Sequence, residues 1–312
     1  MNQSPALTTA EQLSRNIENM MVERNLRGMK TVQSALEPGY VLRAAQMMLP
    51  IRGPVLIGTG FPVVDTFETD GPVGAIALYD MFKAIGADPI IVCGPPLSDE
   101  LSKKYNVHSL KVGGHSHESS EQEAQTALAK LNPELIVSIE RPGMAADGKY
   151  YNMRGEDISA RAACFDSFLI HGNCPSIAIG DGGNEIGMGN IQEALKDLDI
   201  QAASTECSEL VIADVSNWAA LGLIAMVDWL TGRDQLGRLD SLAVLEFLSS
   251  HGSVDGVTRD NTLTEDGLPA QDGIDLIARL RTLIKQNKLK EEASEQHSGS
   301  AHSSSTNING AS

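Results

Sequence analysis

The sequence predicts an α/β fold, a mainly parallel sheet with helices on both faces and extra helices towards the C-terminus. Two observations carry the prediction. Short apolar, β-branched segments alternate with helical segments six times, and most of the apolar segments end in a glycine or polar turn. The 312 residues are 42% hydrophobic and only 4% aromatic, so one sizeable core must be packed mostly by Ala, Ile, Leu, Val and Met.

The elements follow in order. Thr8-x-x-Glu11 matches a capping box and starts an amphipathic helix to about Asn25. Glu37-Pro38 opens a second helix reaching Leu49, with proline in its first turn. Strands are predicted at Val55–Gly58, Pro89–Cys93, His108–Val112, Leu135–Ile139, Ser176–Ile179 and Leu210–Ala213. Helices fall near Val73–Ile85, Ser98–Tyr105, Ser120–Leu131, Ile158–His171, Asn190–Leu198 and Ser216–Leu230, and then at Leu239–Leu248 and Ala270–Lys288. No repeat or Pro-rich linker interrupts them, so residues 1–290 read as one domain. From Glu291 the composition turns to Ser, His, Asn and Gly without apolar period, which predicts a disordered tail over 291–312, with His297 and His302 as solvated bystanders.

The formal charge is −17, and without the three glutamates of the tail 38 acidic residues still face 24 basic ones. An acidic body excludes a nucleic-acid surface, which needs a basic stripe, and binding to anionic lipid. Cys93, Cys164, Cys174 and Cys207 lie far apart with no C-x-x-C, which excludes zinc spacing and a disulfide framework and fits a reduced, cytoplasmic compartment. The longest apolar run, Ala219–Leu230, is too short for a membrane span and carries Asp228. No secretory signal opens the chain.

The densest signal is Gly180-Asp-Gly-Gly-Asn-Glu-Ile-Gly-Met-Gly189, where five glycines surround Asp181, Asn184 and Glu185 at the end of a predicted strand. Open α/β sheets hold ligands at such turns, and that much glycine costs folding entropy without a ligand to justify it. No lysine, Walker spacing or G-x-G-x-x-G is present, so no nucleotide cofactor is expected, and the carboxylates suggest a metal ion or an ammonium group.

Three further polar stretches follow predicted strands. Gly58–Asp65 runs on to Glu68-Thr69-Asp70-Gly71-Pro72, where Asp70 reads either as the cap of the next helix or as a site residue. Glu140–Gly155 packs Glu140, Arg141, Asp147, Lys149, Tyr150, Tyr151, Asn152 and Arg154 into a long aperiodic loop, a pattern typical of binding loops. Asp214-Val-Ser216-Asn217-Trp218 precedes a helix that Asp214 or Ser216 would cap. Parallel strands bring such loops to one rim, so Glu68, Asp70, Glu140, Asp147, Asp181, Glu185 and Asp214 would share a crevice. Carboxylates so crowded need a cation, and a hard ion such as Mg²⁺ or Mn²⁺ suits oxygen ligands. Arg141, Lys149 and Arg154 are the cations available to a substrate carboxylate. Gly113-Gly114-His115-Ser-His117-Glu118 is a weak metal signal and reads as a polar loop entering a helix.

The segments Glu68–Pro72, Ile139–Gly143 with Ala145–Gly148 and Tyr150–Asn152, Gly180–Gly189 and Val215–Trp218, in this order, resemble the D-glutamate cyclase family, and within it the C-terminal domain of its vertebrate members. The resemblance spans roughly residues 15 to 290, and the chain reads as a stand-alone version of that domain, with nothing matching the vertebrate N-terminal domain. It implies a lyase that reversibly closes D-glutamate to 5-oxo-D-proline with loss of water. That needs a base for the ammonium, an electrophile on the γ-carboxylate and an acid for the departing oxygen. On this reading Asp181, Glu185 and Glu140 hold a metal or the ammonium, with Glu68 and Asp70 as further metal ligands and Asp147 as an alternative base. Arg141 or Arg154 holds the α-carboxylate, and Tyr150 or Tyr151 donates to the leaving oxygen. Thr69, Asn152, Gly182, Gly183, Asn184 and Asn217, polar or glycine positions of the same motifs, are expected around the substrate. Two rival expectations use the same acidic crevice: a metal-dependent phosphatase or amidase, and a non-catalytic amino-acid or metal binding protein. The expected partner is a small amino acid, with no nucleic acid and no membrane; a homo-oligomer is compatible.

Overall fold

The computed structural model describes residues 7–113 and 117–303, and the side chains of residue 117 and of 292–303, which include His297 and His302, lie outside the description. The sheet has six parallel strands: β1 Pro54–Gly58, β2 Asp88–Cys93, β3 Val107–Ser109, β4 Leu135–Ile139, β5 Ser176–Gly180 and β6 Glu209–Ile212. All six predicted strands are present, four of them shifted by a residue at an end and β3 shorter than expected. Their order is β3-β2-β1-β4-β5-β6, so the chain turns back at the β1–β4 seam, where Ile57 pairs with Ile91 on one side and Val137 on the other. Ligands of open α/β sheets sit in the crevice outside such a seam.

The helices are α1 Thr9–Met21, α2 Met29–Val32, α3 Tyr40–Met48, α4 Pro72–Ile85, α5 Leu97–Leu101, α6 His117–Leu131, α7 Asp166–His171, α8 Gln192–Leu195, α9 Ser216–Thr231, α10 Ser241–Ser250 and α11 Ala270–Ser303. Strand side chains alternate between two cores. Val55, Ile57, Ile91 and Val137 face the larger one with α1, α3, α4 and α9. Leu56, Ile90, Val92 and Ile136 face the smaller one with Ala124 and Ala127 of α6 and Phe168 of α7. The α/β sandwich predicted from the alternation is therefore observed. Apolar positions on all sides of α4 and α9 explain why both are almost wholly buried.

Differences from the sequence reading lie at helix ends. The Thr8 capping box forms, with Glu11 N–H donating to Thr8 Oγ1 at 3.2 Å, yet α1 stops at Met21. Pro38 lies outside α3, whose cap is Gly39 at φ 95°. The stretch 158–165 is irregular, with Ile158 and Ala162 packed beside Phe61 and Tyr150 and Ala163 in the smaller core, so α7 begins only at Asp166. Helix α11 continues past Glu291, where disorder was expected, to Ser303. Residues 114–116, with His115, and 304–312 lie outside the described residues. No described helix is long and apolar enough to cross a membrane.

Candidate active site

A cavity of about 450 Å³ opens over the carboxyl ends of β1, β4 and β5, walled at its inner end by Arg27, Glu68, Glu140, Asp181, Asn184 and Asp266. Its backbone is unusual. Of the six non-glycine residues with positive φ among the described residues, four, Val64, Glu140, Arg259 and Asp266, line this cavity. Such conformations cost free energy and persist where surrounding structure enforces them, often at functional sites.

The first turn of α9 gathers the acids. Asp70 does not cap α4, whose N-cap is Gly71 at φ 90°. Its carboxylate reaches across to α9, accepting Ser216 N–H at 2.8 Å and Asn217 N–H at 2.7 Å, two of the donors a helix start leaves free. Asp181 Oδ2 shares Ser216 N–H at 3.1 Å, and Ser216 Oγ donates to Glu140 Oε2 at 2.5 Å. Asn217 completes the exchange by capping α4, its Oδ1 accepting Gly71 and Gly74 N–H at 2.9 and 2.7 Å, while Nδ2 donates to Glu265 at 2.6 Å. Oxygens of Asp70, Glu140 and Asp181 consequently lie within 4.8 Å of one another, all buried.

Burial pushes the Asp70, Glu140, Asp181 and Glu68 carboxyls well above the usual carboxylate range, and repulsion within the group adds to the effect. A proton or a cation at the cluster offsets this repulsion. Asp70, Glu140 and Asp181 are the residues that would hold a metal ion, and their donors are hard carboxylate oxygens.

Arg27, in the link between α1 and α2, enters this acid group. Its Nη2 donates to Asp181, to Asp266 at 2.5 Å and to Asp214 O at 2.9 Å, and its Nε donates to Asp181 O at 3.3 Å. Its Nη1 has no hydrogen-bond partner among the described residues. On the same cavity wall two buried acceptors, Glu68 Oε1 and Asn184 Oδ1, are also unpartnered. Buried polar atoms are rarely left so, and Arg27, Glu68 and Asn184 all line the same cavity.

Residues 17–281 match the family described as D-glutamate cyclase-like, C-terminal. The chain belongs to this family. It is 33% identical to human D-glutamate cyclase, mitochondrial, over 253 residues, which is 72% of this chain and 40% of the human protein. The chain thus spans less than half the length of that curated relative. A crystal structure of an exopolyphosphatase-related protein from Bacteroides fragilis shows a loose likeness, with TM-score 0.39 and 10% identity over 80% of this chain and 60% of that one.

In this D-glutamate cyclase-like chain, Glu68, Glu140, Asp181, Asn184, Asn152 and Arg154 line the cavity. Asp70 and Glu185 stand just behind the wall. Glu185 turns back on its own turn, accepting Gly182 N–H at 2.9 Å and Gly183 N–H at 2.8 Å, so those two amides face a carboxylate of the protein instead of a ligand. Thr69 is tied to Thr264 O at 2.8 Å, joining the loop after β1 to the Thr264–Pro269 hairpin. Asp214 accepts Arg24 and Leu26 N–H at 2.8 and 3.1 Å and so anchors the Arg27 loop.

Other expected site residues are placed elsewhere. Arg141 is buried with its guanidinium committed to the carbonyls of Thr59, Gly60 and Ala163, and it does not reach the cavity. Asp147 is exposed and accepts Tyr151 Oη–H at 2.6 Å and Lys149 N–H at 3.1 Å. Lys149 pairs with Asp157 at 3.1 Å. Tyr150 is buried against Asp166, to which it donates at 2.8 Å. Arg154 donates to Val257 O at 2.8 Å at the mouth. Two residues on the wall, Arg27 and Asp266, were not singled out from the sequence. Arg27 belongs to no glycine-rich or post-strand motif, whereas Asp266-Gly267 is a hairpin-turn signal of the kind that marks functional loops elsewhere in the chain.

Proposed function

We propose that this protein is a hydro-lyase interconverting D-glutamate and 5-oxo-D-proline plus water. The observation carrying the reading is one cavity wall that holds Arg27, whose Nη1 makes no hydrogen bond among the described residues, together with Glu68 and Asn184, each with a side-chain oxygen left unpartnered. That set is complementary to an amino acid, which offers a carboxylate and an ammonium group together. Family membership and the likeness to human D-glutamate cyclase support the same reading.

In the ring-closing direction Arg27 grips a substrate carboxylate, and Glu68 and Asn184 receive the ammonium N–H groups. Two protons leave the nitrogen and two arrive on the departing oxygen. A carboxyl pushed up by burial is a better base at neutral pH than an ordinary one, which suits Glu68 to take the proton. Glu68 passes the proton on to the departing oxygen, while Glu140, held by Ser216, stays with Asp70 and Asp181. A divalent ion on Asp70, Glu140 and Asp181 would supply Lewis-acid polarisation of the γ-carboxylate.

Purified protein incubated with D-glutamate, and separately with 5-oxo-D-proline, is expected to reach the same mixture by chiral chromatography. EDTA should slow the approach and Mn²⁺ restore it. No conversion in either direction with Mn²⁺ present would sink the proposal.

A further inference from the structure

The cavity is larger and less polar than its inner end requires. Its 450 Å³ falls in the range that holds drug-sized ligands, about 300–1,000 Å³, and glutamate is smaller than these. Beyond the acids the wall becomes apolar and open. Leu26, Val64, Met153 and Val257 line it while remaining 43%, 49%, 38% and 47% exposed, four of the nine large hydrophobic side chains exposed among the described residues. Exposed apolar side chains gathered at one cavity mouth mark a binding surface. Three cations stand among them, and Arg259 is paired with Glu156 at 2.8 Å. Arg154 donates to Val257 O at 2.8 Å and Arg161 to Val64 O at 2.7 Å, and neither is paired with a carboxylate among the described residues. From the inside outward the cavity thus offers acceptors for an ammonium, an apolar sleeve, and cations for a second anionic group.

We propose that the cavity accepts γ-D-glutamyl amides of apolar amino acids and closes the ring with the amino acid leaving in place of water. The inference rests on the ring-closing reading above and extends its substrate. The glutamyl ammonium sits at Glu68 and Asn184, the second residue's side chain lies against Leu26, Val64, Met153 and Val257, and its carboxylate meets Arg154 and Arg161. The α-nitrogen attacks the γ-carbonyl carbon, the γ-carbon–nitrogen bond breaks, and its electron pair leaves with the amine. Two protons leave the attacking nitrogen and two arrive on the departing one, so no water or other reactant is consumed.

The test compares γ-D-glutamyl-L-leucine, γ-D-glutamylglycine and D-glutamate as substrates, following release of free leucine or glycine and formation of 5-oxo-D-proline. An apolar side chain in an apolar pocket gains about ten- to 200-fold in discrimination, so kcat/KM for the leucyl compound should exceed that for the glycyl one at least about tenfold. In Val257→Asp, a change at an exposed position, that ratio should fall towards one while the circular dichroism spectrum is retained. Ring closure of D-glutamate with both dipeptides left intact overturns this inference and leaves the proposed function standing. Equal rates for the two dipeptides, or an unchanged ratio in Val257→Asp, also overturn it. If none of the three compounds is cyclised, both readings fall.

Discussion

Arg27 and Arg141 are both largely shielded from water, and their donors are used in different ways. Arg141 gives Nη1 and Nη2 to three backbone carbonyls and leaves Nε buried without a partner, whereas Arg27 lines the cavity with Nη1 unpaired among the described residues. Arg141→Met should therefore act on stability, since each buried carbonyl left without a partner costs about 1–3 kcal/mol. A thermal midpoint unchanged from wild type would contradict this structural role. Arg27→Lys keeps the charge and removes the planar pair of donors, so kcat/KM for D-glutamate should fall about 10²–10³-fold with the fold intact. Steady-state kinetics beside a circular dichroism spectrum checks this. The residue scale is also where the sequence was least legible. Glu140 and Asp181 could be found because each follows a strand directly, and strands announce themselves by periodicity. Arg27 reaches the site only because Asp214, 190 residues from Arg24, holds its loop in place, and no local pattern encodes that. Arg141, Asp147 and Tyr150 share the right loop with site residues, but the direction in which a loop side chain points is set by its tertiary neighbours.

At the scale of elements, all six strands and most helices were readable, because burial imposes period on them. Their lateral order was not, since parallel strands of similar composition carry no label for their neighbours. The seam between β1 and β4, and with it the position of the cavity, emerges only from that order. The mutual capping of α4 and α9 was equally hidden, because Asp70 and Ser216 are 146 residues apart. It depends on Gly71. At φ 90° this residue favours glycine, and an added Cβ would stand 2.7 Å from Glu140 Cβ and 2.9 Å from Thr59 Oγ1. Gly71→Ala must displace either Glu140 or the start of α4, and displacements of about 1 Å at a reacting centre can cost about 10²-fold in rate. The expected result is a folded protein whose kcat on D-glutamate is reduced by that order. Wild-type kcat in Gly71→Ala would show that the α4–α9 junction does not position the site.

For the molecule as a whole, the acid cluster should govern how stability responds to pH. Burial raises the folded-state carboxyls of Glu68, Asp70, Glu140 and Asp181 above their unfolded values and pushes Glu265 up to about 7. The sign follows from linkage. Below the unfolded values both states are protonated and the groups contribute nothing to pH dependence. As pH rises, the unfolded chain loses its protons first, so the folded state is progressively disfavoured until the raised values are passed. Glu265 alone, moving from 4.5 to about 7, accounts for about 3 kcal/mol lost across that window. The thermal midpoint of metal-free protein should therefore fall between about pH 5 and about pH 8, contrary to a protein whose acids are salt-bridged. Glu68→Gln, which removes a charge but no hydrogen bond made by that side chain among the described residues, should flatten the fall and raise the midpoint at the alkaline end. Protons and a divalent ion compete for the same oxygens, so added Mn²⁺ should raise the midpoint more at about pH 8 than at about pH 5. Equal stabilisation at both values, or a midpoint that climbs with pH in EDTA, would mean that Asp70, Glu140 and Asp181 do not form the cation-holding centre of this fold.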